Sequence, residues 1–216
     1  MKIAIIGATG YVGAAVLQEA LNRGYQVTAL VRNIDKLPQH ANLNPTATNI
    51  YDSSALAQKL NGFDVVISAF NPGWDNPKIG EQFTQGFRAI TQAAKTANVP
   101  YLIHVGGAGS LYIAPNLQLI DSPEFPKEIF DGANAARHAL TEIQQEKVLA
   151  WSFICPPVGL GAVEEKRNGE YRLGQDEVLM SGNEPAGISV ADLAVAIVDE
   201  AEQKKHLRQR FTVAAV

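Results

Sequence analysis

The sequence predicts an α/β fold, a doubly wound parallel sheet with helices on both faces. Three features predict it. Short apolar runs alternate with helical stretches, the pattern of parallel strands joined by helical crossovers. Runs such as Lys2–Ile6 and Asp64–Phe70 are mainly apolar rather than alternating, so their strands are buried on both sides. The first run also passes directly into a glycine-rich turn, Gly7-Ala8-Thr9-Gly10-Tyr11-Val12-Gly13, and then into a helical pattern.

The elements follow in order. Lys2–Ile6 is the first strand. Tyr11–Asn22 carries Val12, Val16, Ala20 and Leu21 on one helical face and stops near Gly24. Gln26–Val31 is the second strand and Thr46–Ile50 a weaker third. Ser54–Leu60 is a short helix ended by Asn61-Gly62, and Asp64–Phe70 is the fourth strand. Lys78–Ala97 is a long helix with Ile79, Phe83, Phe87, Ile90 and Ala94 at helical spacing. Tyr101–Val105 is a strand, Glu128–Glu146 a helix and Trp151–Cys155 a strand. Residues 157–187, rich in Gly, Pro and charge, form a small irregular lobe with one small strand at most. Ser189–Asp192 is a capping box opening a last helix to about Gln203, and Arg210–Ala214 is the final strand.

Composition narrows the function. A chain of 216 residues, 46% hydrophobic and 19% charged, builds a full core, and one domain over 1–216 is expected. The net charge of −4 argues against nucleic-acid or anionic-membrane partners, which need a concentrated positive face. The one basic cluster, Lys204–Arg210, follows Asp199, Glu200 and Glu202 and reads as a solvated helix end. The single cysteine, Cys155, cannot form an internal disulfide. No signal-peptide core or apolar run of transmembrane length is present, so a cytoplasmic protein is expected. The histidines at 40, 104, 138 and 206 have no metal-ligand spacing, and no metal is expected.

Backbone N–H groups at a helix start, with glycines allowing close approach, suit a pyrophosphate. The alternative is a tight strand–helix turn without a ligand. The spacing Gly7-x-x-Gly10-x-x-Gly13, with Val31-Arg32-Asn33, Asp52, His104–Leu111, Trp151–Pro157 and Ser189–Asp192, resembles the short-chain dehydrogenase/reductase superfamily. The likeness is to its atypical NAD(P)-binding members. The Val105–Leu111 stretch and Tyr171-Arg172 are similar to the NADH-flavin reductase-like, NmrA-like subgroup. The resemblance implies a Rossmann-like fold with Gly7, Thr9, Gly10, Tyr11, Val12 and Arg32 on the dinucleotide, and Asp52, Phe70 and Gly106 completing the pocket.

Arg32 lies 19 residues after Gly13, where an NAD-specific chain would carry an acid for the ribose hydroxyls. Arginine suits a 2′-phosphate, which favours NADP(H) over NAD(H). Asp52 matches the superfamily contact to the adenine amino group; a plain turn aspartate is the alternative. Pro156-Pro157 matches the position where backbone approaches the nicotinamide, although Val158 stands where a histidine can follow.

The superfamily's acid catalyst is a Tyr with a Lys four residues later. None of the six tyrosines has one, and Gly106 and Gly107 occupy the usual serine positions. A ketone would need a positioned proton donor, whereas a flavin or quinone spreads the arriving charge over its ring. An NADPH-dependent reductase acting on a conjugated acceptor is therefore expected. The competing expectations are an NADP(H)-binding regulatory sensor of NmrA-like type and an epimerase or dehydratase-like enzyme. Ser110 either bonds the acceptor or caps its own turn. Trp74, Leu111 and Tyr112 either wall the acceptor pocket or pin their loops. His104 reads as bonded into the sheet surround and Cys155 as a buried, inert thiol. Monomer and homodimer both remain open.

Overall fold

The computed structural model describes residues 1–164 and 166–216. Eight strands form its main sheet: β1 (Lys2–Ile6), β2 (Gln26–Val31), β3 (Leu43–Ala47), β4 (Val65–Ser68), β5 (Leu102–Val105), β6 (Trp151–Cys155), β7 (Arg172–Gly174) and β8 (Gln209–Ala214). Their order is β7-β8-β6-β5-β4-β1-β2-β3. Every pairing is parallel except β7 with β8. The chain leaves β1 toward β2 on one side and returns to β4 on the other, so the order reverses at β1. Ligands in such sheets bind beyond the carboxyl ends of the strands at that reversal.

Among the described residues, five α-helices cover the sheet: α1 (Tyr11–Asn22), α2 (Ser53–Leu60), α3 (Ile79–Thr96), α4 (Phe130–Ile143) and α5 (Val190–Gln203). Successive side chains of β1 point to opposite faces, as strand geometry requires. Ile3 and Ile5 meet Val16, Leu17, Leu193 and Ile197 of α1 and α5. Ala4 and Ile6 meet Leu56, Leu60, Ile90 and Ala94 of α2 and α3. A third cluster joins Ala136, Leu140 and Ile143 of α4 to Phe87, Trp151 and Phe153. Among the described residues, no helix is long and apolar enough to cross a membrane.

The Rossmann-like α/β architecture is as the sequence predicts; one strand is displaced. The third strand is Leu43–Ala47 rather than Thr46–Ile50, in register with β2 from Val27↔Leu43 to Val31↔Ala47. It is an edge strand containing Pro45 and largely solvent-facing, so apolar content does not mark it. Ile50 is buried from the loop beyond it and packs with α2 and α3. The helix expected at 128–146 is confined to 130–143, with a single 3₁₀ turn at Lys127–Ile129 before it. The lobe carries more order than expected. Gly159–Leu160 pairs in parallel with Gly187–Ile188, Met180–Ser181 forms a hairpin with Glu184–Pro185, and β7 extends the main sheet.

The outer faces of α1 and α5 hold that lobe by charge. Glu19, almost fully buried, takes Arg167 at 2.7 Å and Arg23 at 2.8 Å. The Arg167 guanidinium is the main reason the Glu19 carboxyl lies below its ordinary range. Asp192, equally buried, accepts the Asn168 and Gly169 N–H groups at 2.8 Å each. Ser189 caps α5 by accepting from the Asp192 N–H, and its own hydroxyl donates to the Lys166 carbonyl at 2.9 Å.

Candidate functional site

The site is built from the turn between β1 and α1. Gly7 adopts φ +83°, a left-handed conformation open to glycine, and a Cβ there would lie 2.5 Å from the Ala69 carbonyl oxygen beyond β4. Gly10 closes the turn by donating its N–H to the Gly7 carbonyl at 3.0 Å. Gly13 lies against that same carbonyl, and any side chain there would collide with it. The turn is thus pressed onto both the switch point and the first turn of its helix.

Gly10 is the N-cap of α1 and provides no side-chain cap, and the first turn holds no acidic residue. The helix N-terminus therefore keeps its partial positive charge. Thr9, Gly10 and Tyr11 are exposed around it, and Val12 is half-buried. These residues fit the pyrophosphate of a dinucleotide: a cradle that a Cβ would fill, at a positive helix end. When bound, the nicotinamide of such a cofactor supplies hydride chemistry.

Arg32 stands exposed at the carboxyl end of β2 and makes no hydrogen bond or ion pair with the described residues. Asp52 is the N-cap of α2, one carboxylate oxygen accepting the Ala55 N–H at 3.0 Å. Phe70, just past β4, lies between Tyr51 and Phe83, with centroids 6.1 and 6.2 Å away. Its ring fills the space that Gly86 leaves on α3. Gly106, after β5, is closely overlaid by the Phe153 ring, which leaves no room for a side chain.

Four further sequence-derived residues separate. Trp74 is exposed, its ring lying by Gly132 in the first turn of α4. Tyr112 is half-buried, its backbone bonded to Asp176 and Val178 of the lobe. Leu111 is fully buried and packs in the α4 core cluster, so it does not wall an open pocket. Ser110 is also turned inward: its Oγ is 3.5 Å from Cys155 Sγ and accepts from Arg210 at 3.4 Å. It is not placed to donate to an acceptor. His104 is buried and bonded to Thr91, and burial raises the Cys155 thiol to about 11.

Two residues escaped the sequence reading. Arg210, placed there in a solvated basic cluster, is buried on β8. Its guanidinium donates to the Ser110 carbonyl at 2.7 Å, pairs with Asp176 and lies over the Tyr112 ring. It thereby joins the segment after β5 to the lobe. The strand period supplied a signal, since Arg210 and Thr212 share one face of β8. Because Asp176 is 60% exposed, the ion pair itself contributes little. Arg210→Met leaves the Ser110 carbonyl buried without its donor, which costs about 1–3 kcal/mol. Urea unfolding should show that loss. Tyr51 is the other, and the aromatic immediately before Asp52 was its only signal.

An uncapped glycine turn at the reversal of a 3-2-1-4-5-6 sheet defines a dinucleotide-binding protein of the Rossmann class. The chain belongs to the NAD(P)H-binding family, whose model matches residues 7–201. It is 36% identical over 217 residues to the uncharacterized protein YwnB of Bacillus subtilis, covering 99% of this chain and 98% of that one. A solved Bacteroides thetaiotaomicron protein, provisionally named an epimerase, is 38% identical with a TM-score of 0.92, covering 100% and 97% of the two chains. A Streptococcus pneumoniae protein, provisionally named an NADH-flavin reductase, is 30% identical with a TM-score of 0.87 over the full length of both.

Proposed function

We propose that this protein is an NADPH-dependent reductase that passes hydride to a flavin, quinone or similar conjugated ring. The observation that carries the reading is the chemistry around the end of β5. Gly106 and Gly107 offer backbone alone, and Ser110 is turned away. Such a surface can position a flat ring but offers no side-chain acid, and a conjugated acceptor can take its proton from water. The Streptococcus relative's name agrees with that acceptor class.

The chain's own contribution is to bind and orient. The α1 N-terminus and the Gly7–Gly13 turn hold the pyrophosphate, and Arg32 meets the 2′-phosphate with a charge-assisted bond. Phe70 and Gly106 fix the depth of the cofactor. The exposed Trp74 and the half-buried Tyr112 flank the acceptor. The missing Tyr–Lys pair fits a regulatory NADP(H) sensor equally well and weakens an epimerase. The working compartment proposed is the cytoplasm.

The test is anaerobic NADPH and NADH oxidation with FMN, riboflavin and a small quinone. Saturable turnover preferring NADPH is expected. Tight cofactor binding without turnover would replace the reductase by the sensor. Arg32→Ala should weaken NADPH roughly tenfold or more, because a hydrogen bond to a charged group contributes about 1.5–3 kcal/mol. NADH binding should barely change; equal loss for both would give Arg32 another role.

A further inference from the structure

Tyr51 stands where the switch point meets the end of β2. The Thr48 N–H donates to the Val31 carbonyl at 2.8 Å, so the chain leaving β3 begins beside Arg32. It then turns at Asn49, whose Oδ1 accepts the Tyr51 N–H at 3.2 Å. The Tyr51 ring meets Phe70 edge-on, the planes at 90°. Phe70 is itself fixed, stacked on Phe83 and fitted over Gly86, so Tyr51 leans on a rigid support.

Tyr51 is 41% exposed. Among the described residues its hydroxyl has no hydrogen-bond partner, and neither has the Arg32 guanidinium. Partial burial raises the phenol and the Arg32 charge draws it back, so the two side chains lie within electrostatic reach. The acid next in sequence, Asp52, is engaged in capping α2. A cation and a neutral O–H donor, neighbouring and both unpaired, suit an anion with several acceptor oxygens. The aromatic pair beneath them offers a flat, apolar boundary.

We infer that Tyr51 is a second specificity-determining residue for the adenosine end of the dinucleotide. Its hydroxyl joins Arg32 on the 2′-phosphate, and its ring with Phe70 bounds the adenine. This rests on the dinucleotide reading above and names a residue that the glycine turn and Arg32 do not imply.

Calorimetric titration of the intact protein with adenosine 2′,5′-bisphosphate and with AMP isolates this end from hydride chemistry. Tyr51→Phe keeps the ring and loses only the hydroxyl. It should weaken the bisphosphate about tenfold and leave AMP unchanged. Tyr51→Ala also removes the boundary and should weaken both ligands. A Phe variant that binds the bisphosphate like wild type, or loses both ligands equally, overturns the inference. If that happens while wild type still binds NADPH, only the role of Tyr51 falls. If wild type binds neither NADPH nor the bisphosphate, the NADP(H) reading falls and takes this inference with it.

Discussion

Gly13→Ala is expected to weaken dinucleotide binding roughly tenfold or more and to destabilise the fold. The added methyl would lie 2.0 Å from the Gly7 carbonyl oxygen, which is backbone and cannot rotate aside. Gly7 cannot retreat, because it abuts Ala69 across the switch point and its carbonyl accepts the Gly10 N–H. Either the turn shifts from β4 or α1 moves off the sheet and loosens Val16 and Leu17. Overpacking of this kind costs about 1–3 kcal/mol, which should lower the melting midpoint by several degrees. A turn displaced from the helix start also misaligns backbone donors to the pyrophosphate. Losing one such donor weakens binding roughly tenfold or more. Fluorescence titration with NADPH and a thermal melt test both effects. A Gly13 variant matching wild type in both would mean that the turn has room to yield.

The glycine turn was legible because its chemistry is local: strand, three glycines and helix are contiguous in sequence. The core strands were legible for a related reason, since burial on both faces leaves little but aliphatic side chains in β1 and β4. β3 was not, because an edge strand containing Pro45 is defined by its hydrogen bonds to β2, which sequence does not display. Arg210 was misread because its environment is assembled from residues 100 and 34 positions away, Ser110 and Asp176. Ser110 and Leu111 turn on side-chain direction, which sequence does not display. A serine just past a sheet strand is near the site in either case, and its contacts with Cys155 and Arg210 turn it inward. Distances along the chain thus revealed the cofactor cradle, while the acceptor side depends on which way a few side chains face.

Acid should destabilise this protein well above the carboxylate range, and His104 is the reason. Its ring is buried on β5, 4.7 Å from the Phe87 ring and 6.3 Å from Phe153, with Thr91 Oγ1 3.2 Å from Nε2. Nothing there compensates a charge, and burial lowers the imidazole from 6.5 to about 3. In the unfolded chain the same group takes a proton below about pH 6.5. From there down to about pH 3 the unfolded state therefore holds one proton that the folded state refuses. Stability then falls with decreasing pH by about 1.4 kcal/mol per unit, or about 2–3 kcal/mol between pH 6.5 and 4.5. Glu19, Glu146 and Glu200, whose carboxyls lie below their ordinary value, add their losses only at lower pH. His104→Gln stays neutral throughout and can still meet Thr91. Urea unfolding at pH 7.5, 6.5, 5.5 and 4.5 should give curves that diverge below pH 6.5, the wild type falling faster. Parallel acid limbs would mean that the folded protein accommodates the protonated ring, which this apolar setting does not allow.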